Sequence, residues 1–174
     1  DIWYSVFDGL QWSVPVHAGS ILNSRDYNAV AGFSADGKQL YLLSHYDPSG
    51  NSAKTQGISV SKKSSTGWSK PENIFIPYFQ NKSAFLSGAI SPDGLTFIYA
   101  AETYGSRVED IYITVKGSDG KWSAPRNIGN KINTQFQELS PWMSMDGTTL
   151  YFSSNGRPGC RSFDVFFASR LDDT

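Results

Sequence analysis

Apolar runs about five residues long alternate with stretches of glycine, serine and asparagine along the whole chain. The runs "LYLLS" (40–44), "TFIYA" (96–100) and "LYFSS" (150–154) are almost continuously apolar, the pattern of strands buried on both faces. Others alternate, as in "DIYIT" (110–114), which fits a strand with one better-buried side. No window of a dozen residues carries the 3.6-residue period of an amphipathic helix. The pattern predicts an all-β protein.

The runs recur in a fixed order. Asp-Gly corners at Asp36, Asp93 and Asp146 are 57 and 53 positions apart, and each precedes one of the apolar runs. Trp-Ser-x-Pro begins at Trp12, Trp68 and Trp122, with spacings of 56 and 54. The segments "DIWYS", "GISVS", "DIYIT" and "DVFFA" start at Asp1, Gly57, Asp110 and Asp164, spaced by 56, 53 and 54. Each period therefore holds four strands: one before the corner, one after it, the "DIYIT" strand, and a short outer strand after Trp-Ser-x-Pro. Four antiparallel strands at a constant period define the blade of a β-propeller. A β-sandwich gives no reason for three markers to keep register. Pro15, Pro71 and Pro125 lack an amide donor, which suits a strand with one open edge. The predicted layout is a partial β-propeller over 1–174: the end of one blade (1–22), two blades (23–77 and 78–130) and an incomplete one (131–174). Closed propellers have about four to eight blades, so the expectation is a segment of a larger ring.

The corners themselves read as structure. In Ser91-Pro92-Asp93-Gly94, proline presets φ for a type I turn, glycine takes the left-handed position, and serine can accept a backbone hydrogen bond across the turn. Asp36-Gly37 and Asp146-Gly147 fit the same three-residue hairpin loop with a bulge. An aspartate repeated once per blade is splayed away from its copies, whereas catalysis needs convergence.

Composition narrows the partner. The net charge of −1 and the lack of any basic cluster exclude a field that would gather nucleic acid. No apolar stretch approaches the length of a membrane-spanning helix. One cysteine, Cys160, excludes an internal disulfide framework and a cysteine metal cluster, and His17 and His45 lack ligand spacing. No cofactor, metal or catalytic constellation is expected. Trp12, Trp68 and Trp122 share one repeat position, which argues for packing between strands or blades rather than sugar stacking.

On "GFSADGKQLYLLS", "AISPDGLTFIYA" and "WMSMDGTTLYFSS" the chain resembles the TolB-like propeller repeat, a WD-like blade family with the hallmark Phe-Ser-Pro-Asp-Gly. The stretch "INTQFQELSPWMSMDGTTLYFSSNGRPGCRSFDVFFASR" is similar to propellers of Bacteroidetes cell-envelope proteins, often joined to peptidoglycan-binding OmpA-like domains. The resemblance implies a non-catalytic, protein-binding scaffold in a periplasmic or outer-membrane-associated complex. A peptidoglycan link would run through a domain not present here. Ala35 and Met145 replace the hallmark proline, and Gly57 replaces the aspartate that opens the third strand.

In such a fold the loops between second and third strands and those between blades converge on one face, where binding usually resides. The contacts expected there are His45, Tyr46, Tyr104, Arg107, Asn155, Arg157 and Arg161, joined by Tyr78, Phe79, Arg25, Phe136 and Glu138. Two alternatives remain open. One is a carbohydrate-binding or carbohydrate-active propeller, sialidase-like or a lyase, using carboxylates such as Glu102, Glu109 and Glu138, although the corners lack the spacer of a Ser-x-Asp-x-Gly box. The other is the gating propeller of a prolyl-oligopeptidase-type peptidase, which requires a hydrolase domain elsewhere.

Overall fold

The computed structural model describes residues 1–25, 27–47, 49, 55–159 and 162–170. Among these there is no helix, and fourteen strands form successive antiparallel sheets. The first sheet pairs β1 (Trp3–Tyr4) with β2 (Val16–His17). The second runs β3 (Ala29–Phe33), β4 (Gln39–Leu43) and β5 (Ile58–Ser64), whose outer neighbour is split into β6 (Gly67–Trp68) and β7 (Glu72–Ile74). The third comprises β8 (Ser87–Ile90), β9 (Thr96–Ala101), β10 (Asp110–Val115) and β11 (Arg126–Asn127). The fourth comprises β12 (Glu138–Met143), β13 (Thr149–Ser154) and β14 (Asp164–Ser169).

Each sheet is a propeller blade, and side chains between successive blades form the core. Leu22, Leu40 and Leu42 fill the space between first and second. Tyr41, Ile58, Val60, Phe97 and Tyr99 lie between second and third, and Ile98, Ala100, Ile111 and Phe152 between third and fourth. The tryptophans of the Trp-Ser-x-Pro marker belong to these layers: Trp122 is buried against the second blade and Trp68 packs beside Leu40 and Leu42. Trp12, at the same repeat position, is exposed and rests on Phe7 with ring centres 5.1 Å apart.

The Trp-Ser-x-Pro marker explains the split outer strand. Trp68 still pairs with Lys63, but pairing resumes only after Pro71, at Glu72↔Val60. The same break separates Lys116↔Trp122 from Ile113↔Arg126, and Phe7↔Trp12 from Tyr4↔Val16. Serine bridges the gap: Oγ of Ser13, Ser69 and Ser123 accepts the third-strand N–H of Val6, Lys62 and Val115 at 2.9, 3.0 and 3.1 Å. A residue without an amide donor is thus placed where the ladder is already interrupted.

The Asp-Gly corners are local backbone devices. Gly37, Gly94 and Gly147 have φ of 65°, 72° and 70°. Asp36 accepts the Ser34 hydroxyl at 2.6 Å and the Lys38 N–H at 3.0 Å, and Asp146 accepts the Ser144 hydroxyl and the Thr148 N–H at 2.6 and 3.0 Å. Asp93 does the same with Ser91 and Leu95. Hydrogen bonds from these serines hold the carboxyls of Asp36 and Asp146 below the ordinary carboxylate range, with the backbone N–H groups adding to the effect. The loop spans four residues rather than three. Ser34 N–H donates to the Gln39 carbonyl, and Ser34 Oγ, not its carbonyl, receives the Gln39 N–H.

Two burial expectations differ. β13 is not buried on both faces: Tyr151 is exposed, because its face of the last sheet meets no further blade among the described residues. β5, expected to alternate, is buried on both faces from Ile58 to Ser61, because blades flank it on each side.

Candidate functional site

The loops after the second strands and the loops between blades meet on the face opposite the Asp-Gly corners. Short polar side chains buried beneath them tie each loop to its neighbours. Asn133 accepts the Ile111 N–H at 2.8 Å and donates to the Ile111 carbonyl and to Asn127 Oδ1, both at 2.9 Å. Asn23 repeats the device on Ile2, donating to its carbonyl at 3.1 Å and accepting its N–H. Asn81 donates to the carbonyls of Thr55 and Phe85 and accepts the N–H groups of Ser83 and Glu102.

Glu109 is the hub of the loop layer. Its two oxygens accept the Ser83 hydroxyl and the Gln137 side-chain amide, each at 2.8 Å, and its carbonyl accepts the Glu138 N–H at 2.9 Å. Burial alone would raise its pKa, but the bonds from Gln137 and Ser83 outweigh burial and leave the carboxyl below its ordinary value. Neighbouring Asp110 is shifted the other way. Burial raises it and the Glu138 charge adds to the rise, against one hydrogen bond from Asn127.

Several residues expected as surface contacts prove to be parts of this framework. Glu138 is completely buried, with both oxygens engaged by Thr134 and Ser154 at 2.8 Å, so it cannot touch a partner. Arg157 folds inward, donating to the carbonyls of Lys131 and Ile132 at 2.6 and 2.8 Å while its guanidinium lies over Phe152. Phe79 stacks on buried Tyr99 at 4.8 Å. His45 presents Nε2 to the Ile74 carbonyl at 3.1 Å, its ring against Gly57. Tyr46 leans toward the rim, where Lys70 lies over its ring and Asn73 accepts its N–H at 2.6 Å. Asn155 exchanges hydrogen bonds with Gln137 but stays exposed, so it keeps its place among the surface candidates.

The remaining candidates face solvent. Tyr78, Tyr104, Arg107, Arg25 and Phe136 are exposed, with Tyr78 held at φ 58°. Lys82 lies 5.3 Å over the Tyr104 ring and 3.4 Å from Glu102, which brings an aromatic and both signs of charge together. Phe85, 70% exposed on the same loop as Tyr78, belongs with them. Sequence reading missed it, although an aromatic between Ala84 and Leu86 in an inter-blade loop was a usable signal. Arg161 and Cys160 fall outside the described residues. Among the described residues, three of the four non-glycine residues with left-handed backbone, Ser44, Thr55 and Tyr78, are in these loops. Such residues need surroundings that over-determine them, and Thr55 donates its hydroxyl to the Ser83 carbonyl at 2.9 Å.

Among solved structures, TolB from Acinetobacter baumannii superposes on 96% of this chain with a TM-score of 0.55 and 18% identity. The chain has the fold of a TolB-like β-propeller. It spans 34% of the length of that TolB. A protein assigned as TolB from Agrobacterium tumefaciens matches over 88% of this chain and 65% of its own, with 16% identity and a TM-score of 0.38. The sequence matches no family model and no curated protein. Within this TolB-like segment, Glu102, Glu109 and Glu138 each have a local partner, and no group of three His, Cys, Asp or Glu among the described residues could hold a metal.

Proposed function

We propose that the chain is a non-catalytic protein-binding segment of a cell-envelope propeller, gripping its partner with the loop-bearing face. One observation carries the reading: exposed Tyr78, Phe85, Tyr104 and Phe136 sit on loops pinned from below by Asn81, Asn133, Glu109 and Glu138. Aromatic side chains on a stiff support lose little entropy on binding, and Tyr and Arg are the residues on which interface energy concentrates. The likeness to TolB supports an exported, periplasmic setting and membership of an envelope assembly. A link to peptidoglycan would pass through another domain.

Site-specific photocrosslinking in cells tests the proposal. A photoreactive phenylalanine at Tyr104 or Tyr78 is expected to trap one defined envelope protein, and the same probe at Leu95, on the opposite face, is expected to trap none. Equal adducts from both faces would refute the assignment. So would turnover of a glycan by the purified protein that Glu109→Gln abolishes.

A further inference from the structure

Away from the loop face, the second and third blades diverge toward the rim and leave a cavity of about 630 Å³. Tyr41, Val60 and Ile74 of the second blade and Trp122 of the third form its apolar floor. Two turn glycines border it. Gly94 stands where a Cβ would strike the Tyr41 hydroxyl, and Gly120, at φ 80°, has nothing within 4 Å of where its Cβ would lie.

The polar rim is cationic on the third-blade side, where Lys116 and Lys121 stand, whereas on the second-blade side the Asp36 and Asp93 charges act on the Tyr41 hydroxyl. Lys62, Lys116 and Lys121 line the cavity with no carboxylate among its lining residues. Lys62 is held by Glu72 at 3.2 Å, whereas the ammonium groups of Lys116 and Lys121 have no ion pair among the described residues. The amide oxygen of Gln39 already accepts the Tyr41 hydroxyl at 2.9 Å. The cleft therefore offers more side-chain donors than acceptors, the Tyr41 hydroxyl oxygen and the second lone pair of the Gln39 amide oxygen being the acceptors that remain. A carboxylate-bearing ligand brings its own acceptors to the two unpaired ammonium groups. Phe75, 80% exposed at the margin, extends the apolar floor outward.

We propose that this cleft is a second binding site, which takes an acidic peptide segment of a partner protein: an aliphatic or aromatic side chain on the floor, flanking carboxylates on Lys116 and Lys121. The volume falls within the usual range for ligand clefts, about 300–1,000 Å³. The site goes beyond the loop-face function and stands or falls separately from it.

The test is fluorescence polarisation on the full protein with a labelled octapeptide of Asp and Glu flanking one Leu and one Phe. The same peptide with Lys in place of its acids is the control, and an oligogalacturonate is the competitor. The acidic peptide is expected to bind in the range of about 10–100 μM and to weaken as salt shortens the reach of the ammonium charges. Lys116→Glu with Lys121→Glu is expected to reduce affinity at least about tenfold, Phe75→Ala about threefold, and Tyr104→Ala not at all. Lys116→Met with Lys121→Met keeps the aliphatic stems and is expected to weaken binding likewise, with an unchanged circular dichroism melt showing that the fold survives. Absence of binding, equal binding of the basic peptide, or indifference to both lysine pairs would overturn the proposal. Displacement by the oligogalacturonate that is lost with the same lysines would overturn it in favour of an anionic glycan.

Discussion

Replacing Asn133 by alanine isolates the device that fastens an inter-blade loop to the preceding blade. The amide makes three bonds, to the Ile111 N–H, the Ile111 carbonyl and Asn127. Truncation orphans the Ile111 N–H, and a buried donor left without a partner costs about 1–3 kcal/mol. The carbonyl fares better, because it also accepts the Ile128 N–H at 3.2 Å. With about 1 kcal/mol more for the remaining bonds, the expected loss is about 2–4 kcal/mol. For a chain of this size that lowers Tm by about 5–12 °C. Urea unfolding and amide exchange of the purified protein read it out, and protection of the Ile111 amide should fall by about ten- to a thousandfold. Asn133→Asp keeps an acceptor for that amide but points a second carboxylate oxygen at two acceptors, so it should not rescue. Asn23→Ala removes the equivalent clamp from the exposed β1–β2 pair, where water can take its place, and should cost less. A loss below about 1 kcal/mol for Asn133→Ala, or unchanged Ile111 protection, would refute the reasoning.

Two further outcomes are expected. Gly57→Ala combines φ of 64° with a Cβ placed 2.4 Å from His45 Nε2, and should destabilise by at least about 2 kcal/mol. With His45→Ala also present, the added cost should shrink to the backbone part, about 1 kcal/mol, and strictly additive effects would contradict the clash. Glu109 and Asp110 should impose opposite pH dependences on urea stability. The folded pKa of Glu109 lies below the ordinary 4.5, so the unfolded chain binds the extra proton. Its contribution is present above 4.5 and lost as pH falls through the folded value, and Glu109→Gln should flatten that acid limb. Asp110 is raised above 3.8, so its carboxyl favours folding only while protonated. Asp110→Asn should therefore stabilise the protein at pH 7 and lose that advantage below 3.8. Parallel slopes for the two variants would contradict the assignments.

The blade architecture was legible because it is written in local chemistry repeated at a fixed spacing. Ser-x-Asp-Gly closes its own turn with atoms no more than five residues apart, and Trp-Ser-x-Pro marks the rim strand. A second set of turns went unread: Asp8-Gly9 and Asp119-Gly120 close the outer hairpins, with Gly67 in the matching turn between them. The loop-face candidates were harder for a different reason. Arg157 and Glu138 look alike from composition whether they serve a partner or the scaffold. What decides is which carbonyls or hydroxyls come within reach, and Arg157 finds its partners 25 and 26 residues away. The asparagine clamps reach 21 and 22 residues and so escape any local motif, although "LNS" at Asn23 and "INT" at Asn133 lie two repeats apart.

The broken rim strand has a consequence for behaviour in a crowded compartment. An uninterrupted perimeter strand would present each passing molecule with a continuous line of amides, a template for sheet-to-sheet growth. Here the perimeter of the second blade is cut into segments of two and three residues by a proline-containing gap. Repetitive sequence that could cross-pair with its own copies is thereby denied a nucleus, and the aromatic content that builds the layers is kept from becoming a liability.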